Sequence, residues 1–221
     1  MRKLTITTFL SLDGVMQAPG APNEDRSDGF EHGGWLVPYA DEDLGRIMTA
    51  WMAQAAGFLL GRGTYEIFAA HWPKVTEPSD PIAQALNRLP KYVASRTLKT
   101  ATWNNSTVIC GDVVDAVRAL KREGTGDIQV HGSPGLAQTL IANDLIDVYR
   151  LWIHPVVLGS GKRLFGSGAV PAAMKLQSSE TTSTGVVVQT YERAGPVRHG
   201  SFSVDENTTT KQLFDGEYRD R

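Results

Sequence analysis

The chain has 221 residues, which is enough for one well-buried core and short for two, so a single domain with a tail is expected. Apolar residues make up 41% and charged residues 21%, a balance typical of globular proteins rather than of disordered or membrane proteins. The formal charge of −2 argues against general nucleic-acid binding, because phosphate backbones are bound by basic faces.

The first quarter of the chain predicts a strand, a long loop and a one-sided helix. Residues 4–10 mix β-branched and apolar residues before a turn signal at 11–14, which indicates a strand. Residues 17–32 are rich in Gly, Pro, Asn and Asp, and a loop of that length is more often functional than not. From Asp41, a suitable N-cap, apolar residues recur at helical spacing as far as Ala55.

The most informative segment follows, where an apolar run ends in Gly61, Arg62, Gly63 and Thr64. This order predicts a strand, a tight turn and a helix over 64–70 with Thr64 as N-cap. Such a helix start presents unpaired N–H groups and the positive end of a helix dipole, both of which favour phosphate binding. Arg62 would add a planar fork of donors. An ordinary turn with a surface arginine explains the same residues, so this segment alone does not decide between a phosphate site and a structural turn.

The rest of the chain alternates predicted helices and strands and ends in a hairpin. The expected elements are a helix over 82–89, strands over 91–95 and 107–110, a helix over 112–124, a strand over 128–131, a helix from 133, a strand over 147–157, and hairpin arms over 175–179 and 185–192. This order predicts an α/β fold with a largely parallel sheet and an antiparallel C-terminal edge. We expect one domain over 1–194 and a tail or arm over 195–221.

Three predicted strand-to-helix junctions are candidate anion sites: residues 61–64, residues 95–97, and Gly132 with Ser133, where Pro134 is a natural first helical residue. Ligands of open α/β sheets lie beyond the carboxyl ends of the strands, so the three turns are expected to converge on one groove. Three sites suggest a ligand with several phosphates, such as a dinucleotide, with a Ser–Arg pair on the 2′-phosphate of NADP.

Cysteine and histidine usage excludes other kinds of site. Cys110 is the single cysteine, so neither an intramolecular disulfide nor a paired-thiol site can form. The histidines fall on different elements without metal-ligand spacing, and we expect no metal. The chain shows neither a signal-like N-terminus nor an apolar span of membrane length. A cytoplasmic protein with a small-molecule substrate and without nucleic-acid or membrane partners is expected.

Five motifs together resemble the dihydrofolate reductase-like fold and, within it, the RibD C-terminal reductase group and its stand-alone bacterial relatives. They occur in the expected order over residues 4–192 and lie at residues 11–14, 60–66, 91–96, 130–140 and 155–165. The resemblance implies an NADPH-binding reductase of the 5-amino-6-(5-phosphoribosylamino)uracil reductase kind, as in riboflavin biosynthesis, usually a homodimer.

The resemblance also implies roles for individual residues along the cofactor. Gly61, Arg62 and Thr64 would lie along the pyrophosphate and adenosine side, and Ser95 with Arg96 would meet the 2′-phosphate. The nicotinamide end would be lined by Gly132 and Ser133, together with Leu136 on the following helix. In the resembling reductases the junction that corresponds to Gly132 and Ser133 is often held in a cis peptide, so we expect a strained or cis bond between these two residues.

At the substrate end the residues leave alternatives open. Asp43 resembles the acid that dihydrofolate reductases carry on the first helix, yet capping alone would also select it. Asp13 lies where the RibD-like group has an acid, and it equally suits a turn. Lys162 and Arg163 either bind an anionic substrate or form a solvated basic turn. Trp35 follows the long loop and either covers a ring-shaped substrate or belongs to the core.

The expected reaction is hydride transfer from NADPH to a C=N or C=O bond of a small heterocyclic or carbonyl substrate. This fits the absence of a nucleophile motif, because the cofactor supplies the difficult step. The alternative is a dinucleotide-binding protein without chemistry, acting as a dimeric sensor or scaffold.

Overall fold

The computed structural model describes residues 1–166 and 169–200, which are organised around one eight-stranded sheet. In chain order the strands are β1 (Leu4–Ser11), β2 (Ala55–Gly61), β3 (Lys91–Ala94), β4 (Ser106–Ile109), β5 (Asp127–His131), β6 (Val148–His154), β7 (Met174–Thr181) and β8 (Val187–Arg193). Across the sheet they lie in the order β4-β3-β2-β5-β1-β6-β8-β7. The first six are parallel, and β8 and β7 join antiparallel. The predicted sheet and its antiparallel C-terminal hairpin are confirmed.

Within these described ranges, five α-helices flank the sheet: α1 (Glu42–Met52), α2 (Arg62–His71), α3 (Pro81–Arg88), α4 (Val113–Arg122) and α5 (Pro134–Ala142). Aspartate side chains cap three of them by accepting backbone N–H bonds, as the sequence predicts for Asp41 and Asp112. Each cap satisfies N–H groups that the helix itself leaves unpaired.

Two predictions near the junctions are wrong. Helix α2 begins at Arg62 with Gly61 as its N-cap, so Thr64 lies inside the first turn and does not cap it. No helix follows β3 before β4 either. Instead the Ser95 hydroxyl accepts hydrogen bonds from the backbone N–H groups of Thr97 and Leu98, at 3.2 and 2.9 Å, and turns the chain. Serine makes such local turns as readily as it caps helices.

The core lies on both faces of the sheet. Leu59 on β2 packs in one cluster with α4 and α5, whereas its neighbours Phe58 and Leu60 pack in another with α1, α2 and α3. This alternation follows from strand geometry, in which successive side chains point to opposite faces. A parallel sheet covered on both sides leaves its strand ends free for a ligand, and here the carboxyl ends of six strands share one edge.

The C-terminal part completes the sheet edge. Strand β8 pairs with β6 from Val148↔Glu192 to Ile153↔Val187, and β7 forms the exposed outer edge. Residues 195–200 add no further helix or strand, and the rest of the predicted tail, 201–221, lies outside the described residues. Of the helices in the described part, none has the length and apolar composition needed to cross a membrane.

Lys91 on β3 is fully buried and closes the C-terminus of α3. Its Nζ donates to the carbonyl oxygens of Leu86 and Leu89, at 2.7 and 2.9 Å, and lies 4.3 Å from the ring centroid of Trp103. Burial lowers the pKa of Lys91 to about 8. The ammonium group thus satisfies carbonyls that have no partner within their own helix.

We expect Lys91→Met to lower the free energy of unfolding by about 1–3 kcal/mol, because methionine keeps the packing volume but leaves buried carbonyl oxygens unpaired. Urea denaturation followed by circular dichroism measures this loss. Lys99→Met is the control, since Lys99 is exposed and should change the stability by less than about 0.5 kcal/mol. Equal stabilities for the two variants would show that the Lys91 contacts contribute nothing.

Candidate functional site

A cavity of about 1710 Å³ lies along the carboxyl ends of the parallel strands. It exceeds the roughly 300–1,000 Å³ of ordinary small-molecule pockets. One part is formed by the ends of β2, β3, β4 and β5, and the other by β1 and by the loops 16–27 and 161–166. The cavity is therefore large enough for an extended ligand and a second molecule beside it.

Ser133 joins the two helix starts that face the cavity. Its Oγ accepts a hydrogen bond from the Gly61 N–H and donates one to the His131 carbonyl oxygen, both at 2.9 Å. Its backbone N–H donates to Thr64 Oγ1 at 3.1 Å. A Cβ on Gly61 would lie 3.3 Å from the Ser133 Cβ, so glycine allows this close approach. These contacts place the N-termini of α2 and α5 side by side.

The peptide between Gly132 and Ser133 is trans, and the described residues contain no cis bond, so the cis expectation is wrong. The expected strain is present, because both residues have positive φ, at 50° and 58°, and Ser133 adopts the left-handed region. The Gly132 N–H donates to the Thr7 carbonyl oxygen at 3.3 Å. Since both N–H groups of this step bond to protein, the donors left for an anion belong to the first turn of α5.

Two of the arginines on the wall, Arg62 and Arg96, differ in their partners. Arg62 donates from Nε to Glu66 Oε1 and from a terminal nitrogen to Thr97 Oγ1, both at 2.7 Å, and so ties α2 to the turn after β3. Arg96 lies in that turn and also lines the cavity. Among residues 1–166 and 169–200 it forms no ion pair. Its charge is therefore available to a ligand.

His131 is a wall residue that the sequence did not indicate. Burial and the Arg150 guanidinium lower the pKa of His131 to about 4, so its ring is neutral at pH 7. Gln129 donates its amide to the Trp51 carbonyl oxygen at 2.7 Å, which leaves Gln129 Oε1 facing His131 Nε2 at 3.2 Å. Nε2 must then carry the proton, and Nδ1 is the acceptor nitrogen.

All eight residues expected to bind the cofactor line this one cavity: Gly61, Arg62, Thr64, Ser95, Arg96, Gly132, Ser133 and Leu136. Their assignment to a cofactor stays a prediction. The start of α4, with its capping Asp112, lines the cavity as well. The sequence predicted an N-cap directly after a strand at this position. It did not predict that this helix start lies at the cavity, because that depends on the order of the strands in the sheet.

Only some of the residues expected at the substrate end lie on the cavity wall. Lys162 and Arg163 lie on the wall, whereas Asp13, Asp43 and Trp35 are not among the wall residues. Asp43 lies on α1 and pairs with Arg46 at 3.0 Å. The Trp35 indole is buried and donates to the Gln17 carbonyl oxygen at 2.8 Å.

The Asp13 carboxylate accepts several hydrogen bonds from within the protein. Its carboxylate accepts from Ser11 Oγ at 2.6 Å and from the N–H groups of Leu158 and Gly159, at 3.1 and 2.9 Å. These bonds, led by that from Ser11, lower the pKa of Asp13 to about 2. Such a group stays ionised at neutral pH and holds the loop after β6, which suits a positioning role and not proton donation.

Two other carboxyl groups reach the wall from the long loop, Glu24 and Asp25. Burial raises the pKa of Glu24, although the backbone N–H groups of Gly20 and Ala21 donate to it. Hydrogen bonds from Lys162 and Ser27 outweigh burial and lower the pKa of Asp25. The sequence marked this loop as functional by its length but singled out neither residue. Within the described residues, no three His, Cys, Asp or Glu side chains are grouped so as to hold a metal ion.

Comparison with known proteins gives a consistent result. A family model described as the RibD C-terminal domain matches residues 2–188. YyaP of Bacillus subtilis (strain 168), an uncharacterized protein, is 32% identical over 196 residues, which cover 88% of this chain and 96% of YyaP.

Two solved structures share the fold. A protein assigned to riboflavin biosynthesis from Shewanella sp. PV-4 has a TM-score of 0.65 at 22% identity and covers 88% of this chain and 99% of its own. Dihydrofolate reductase from Enterococcus faecalis, solved with NADP(H), has a TM-score of 0.54 at 15% identity, with 86% and 96% covered. The dihydrofolate reductase-like fold expected from the sequence is confirmed.

We expect His131→Gln to reduce the loss of stability on acidification. Between about pH 6.5 and pH 4 the unfolded chain takes up a proton at His131 and the folded chain does not, so lower pH favours unfolding. Between pH 7 and pH 5 the fall in the free energy of unfolding should be roughly 2 kcal/mol smaller in the variant. Urea denaturation at both pH values measures it. The variant should still lose some stability on acidification, because burial also lowers the pKa of His154. A variant that loses as much stability as the wild type would contradict the lowered pKa of His131.

Proposed function

Because this chain belongs to the RibD C-terminal domain family, we propose that it is an NADPH-dependent reductase that delivers hydride to a C=N or C=O bond of a small heterocyclic or carbonyl substrate. The observation that carries the proposal is the pair of helix N-termini held together by Ser133, with Arg96 beside them on the same cavity wall.

The polar groups of the wall suit a dinucleotide diphosphate. The first-turn N–H groups of α2 and α5 and the positive ends of their dipoles favour anions, and both helix starts line the cavity. Arg96, which is free of carboxylates in the described part of the chain, would hold the 2′-phosphate that distinguishes NADPH from NADH. Arg62, already paired with Glu66, would contribute less charge and mainly position the turn.

The remaining wall residues would orient the substrate and manage its proton. NADPH, when bound, supplies the hydride, so the chain needs no nucleophile. Neutral His131 with its proton on Nε2 offers an acceptor nitrogen to ring N–H groups. Glu24 keeps a proton to higher pH than Asp25, because burial raises the pKa of Glu24 and hydrogen bonds lower that of Asp25. Glu24 is therefore the better placed of the two to protonate a reduced nitrogen.

A non-catalytic dinucleotide-binding sensor or scaffold is the second candidate. The observation in its favour is that Asp13 and Asp43, the two acids expected at the substrate end, are both absent from the cavity wall and engaged in structural contacts. Oxidation of NADPH by any of a panel of pterins, pyrimidines, quinones and carbonyl compounds would exclude this non-catalytic alternative.

We also propose that the protein is a cytoplasmic homodimer. Light scattering tests the number of chains in the assembly.

We expect Arg96→Ala to weaken NADPH binding by roughly 30-fold and NADH binding by less than about threefold. Loss of a charged hydrogen bond to the 2′-phosphate costs about 2 kcal/mol, and NADH lacks that phosphate. Titration calorimetry with both nucleotides measures the two affinities.

The matched control is Lys99→Ala, which removes an exposed positive charge from the same turn at a position outside the cavity wall. It should leave both affinities unchanged within about twofold, since screened surface charges contribute little. Equal losses for NADPH and NADH in Arg96→Ala would remove Arg96 from the 2′-phosphate, and no binding of either nucleotide by the wild type would overturn the proposed function.

A further inference from the structure

The part of the cavity formed by β1 and by the loops 16–27 and 161–166 carries two cations, and both are already paired with carboxylates. Lys162 Nζ donates to Asp25 Oδ2 at 2.7 Å and to Ser27 Oγ at 2.6 Å. Asp25 is ionised, because these same donors lower its pKa. The ammonium group thus has an anion and a hydroxyl from the long loop as its partners.

Arg163 is held in the same way. Its guanidinium donates to the carbonyl oxygen of Asp13, to Asp13 Oδ2 at 3.1 Å and to the Gly159 carbonyl oxygen at 3.3 Å. The carboxylate of Asp13, whose pKa is lowered to about 2, remains charged at neutral pH. Arg163 therefore lies on the wall with its positive charge balanced by the carboxylate of Asp13, which is not itself a wall residue.

Buried Gln17 fixes the first of these pairs in place. Its Nε2 donates to the carbonyl oxygens of Asp25 and Ser27, at 3.2 and 3.1 Å, while its Oε1 accepts from the Lys162 N–H at 3.0 Å. One side chain thereby holds both backbones of the ion pair. Separating Lys162 from Asp25 would disturb the whole contact between the loop and the segment after β6, so the pair is preorganised.

Among the described residues, the rest of this part of the wall adds no free positive charge. Glu24 contributes a third carboxyl group, and Phe9, Met16 and Leu36 contribute apolar surface. A phosphate entering here would meet two cations already paired with internal carboxylates and would lie close to the ionised carboxylate of Asp25. Like charges at short range disfavour such binding, whereas apolar walls with a few polar groups favour an uncharged ring.

From these contacts we propose that the substrate end of the cavity accepts an uncharged or protonated heterocycle without a phosphate group, in contrast to a phosphoribosyl pyrimidine. This inference rests on the proposed function, which places the cofactor at the other end. It assigns Asp13 and Asp25 a role in specificity, because each removes a cation that a phosphorylated substrate would need.

The test uses ribose 5-phosphate as the probe on the full chain saturated with NADP⁺, so that the cofactor's own phosphate sites are filled. In titration calorimetry the wild type should show no saturable binding with a Kd below about 10 mM. Asp25→Asn keeps the size of the side chain but removes its charge, and it should gain at least about tenfold in affinity because Lys162 is then free. The double variant Asp25→Asn/Lys162→Met should lose that gain.

A wild-type Kd of about 1 mM or tighter that Lys162→Met abolishes would overturn the inference, as would an Asp25→Asn variant that binds NADP⁺ normally without any gain. Should Asp25→Asn not fold, Asp13→Asn, which frees Arg163, and the wild-type titration still decide. The two proposals can be contradicted separately. Absence of NADP⁺ binding would contradict the proposed function. NADP⁺ binding together with tight ribose 5-phosphate binding would contradict only this inference.

Discussion

The hydrogen bonds of Ser133 organise the part of the molecule on which the proposed function depends. One hydroxyl bridges the Gly61 N–H and the His131 carbonyl oxygen, and so links β2 to β5 at the point where each strand gives way to a helix. The left-handed backbone of Ser133 is the cost of this arrangement, of the order of 1–2 kcal/mol. The gain is two helix dipoles aimed at one space, which a single helix start would not provide for a ligand with several phosphates.

The cations along the cavity wall differ in whether a carboxylate pairs with them, and this follows from which loops carry carboxylates. Arg96 follows β3 in a turn stabilised by a serine hydroxyl, and no acid in the described residues pairs with it. Lys162 and Arg163 instead face the loops after β1, which supply Asp25 and Asp13. One end with an unpaired arginine and one end whose cations are paired with carboxylates are what an anionic cofactor and an uncharged partner would require.

His131 on the cavity wall belongs to a polar stripe that lies on the sheet itself. Gln129, His131 and Arg150 lie on the buried strands β5 and β6, and burial keeps the His131 ring neutral beside a guanidinium. Hydrogen bonds in such surroundings are directional and cannot rearrange easily, because the side chains that make them are packed on all sides. A substrate bound above His131 would therefore meet a fixed acceptor, which gives orientation without charge.

The sequence by itself determined the elements and most of their ends, because periodicity, caps and glycine-rich turns are local. It indicated the sheet class, the helix beginning after Asp41, the C-terminal hairpin and eight residues that line one cavity. It misplaced the start of α2 and predicted a helix after Ser95, since the same serine chemistry serves a cap and a turn. Only the tertiary structure decided the partners of the charged side chains. Asp13 with Arg163 and Asp25 with Lys162 are pairs separated by more than a hundred residues, and no local pattern specifies a contact at that distance.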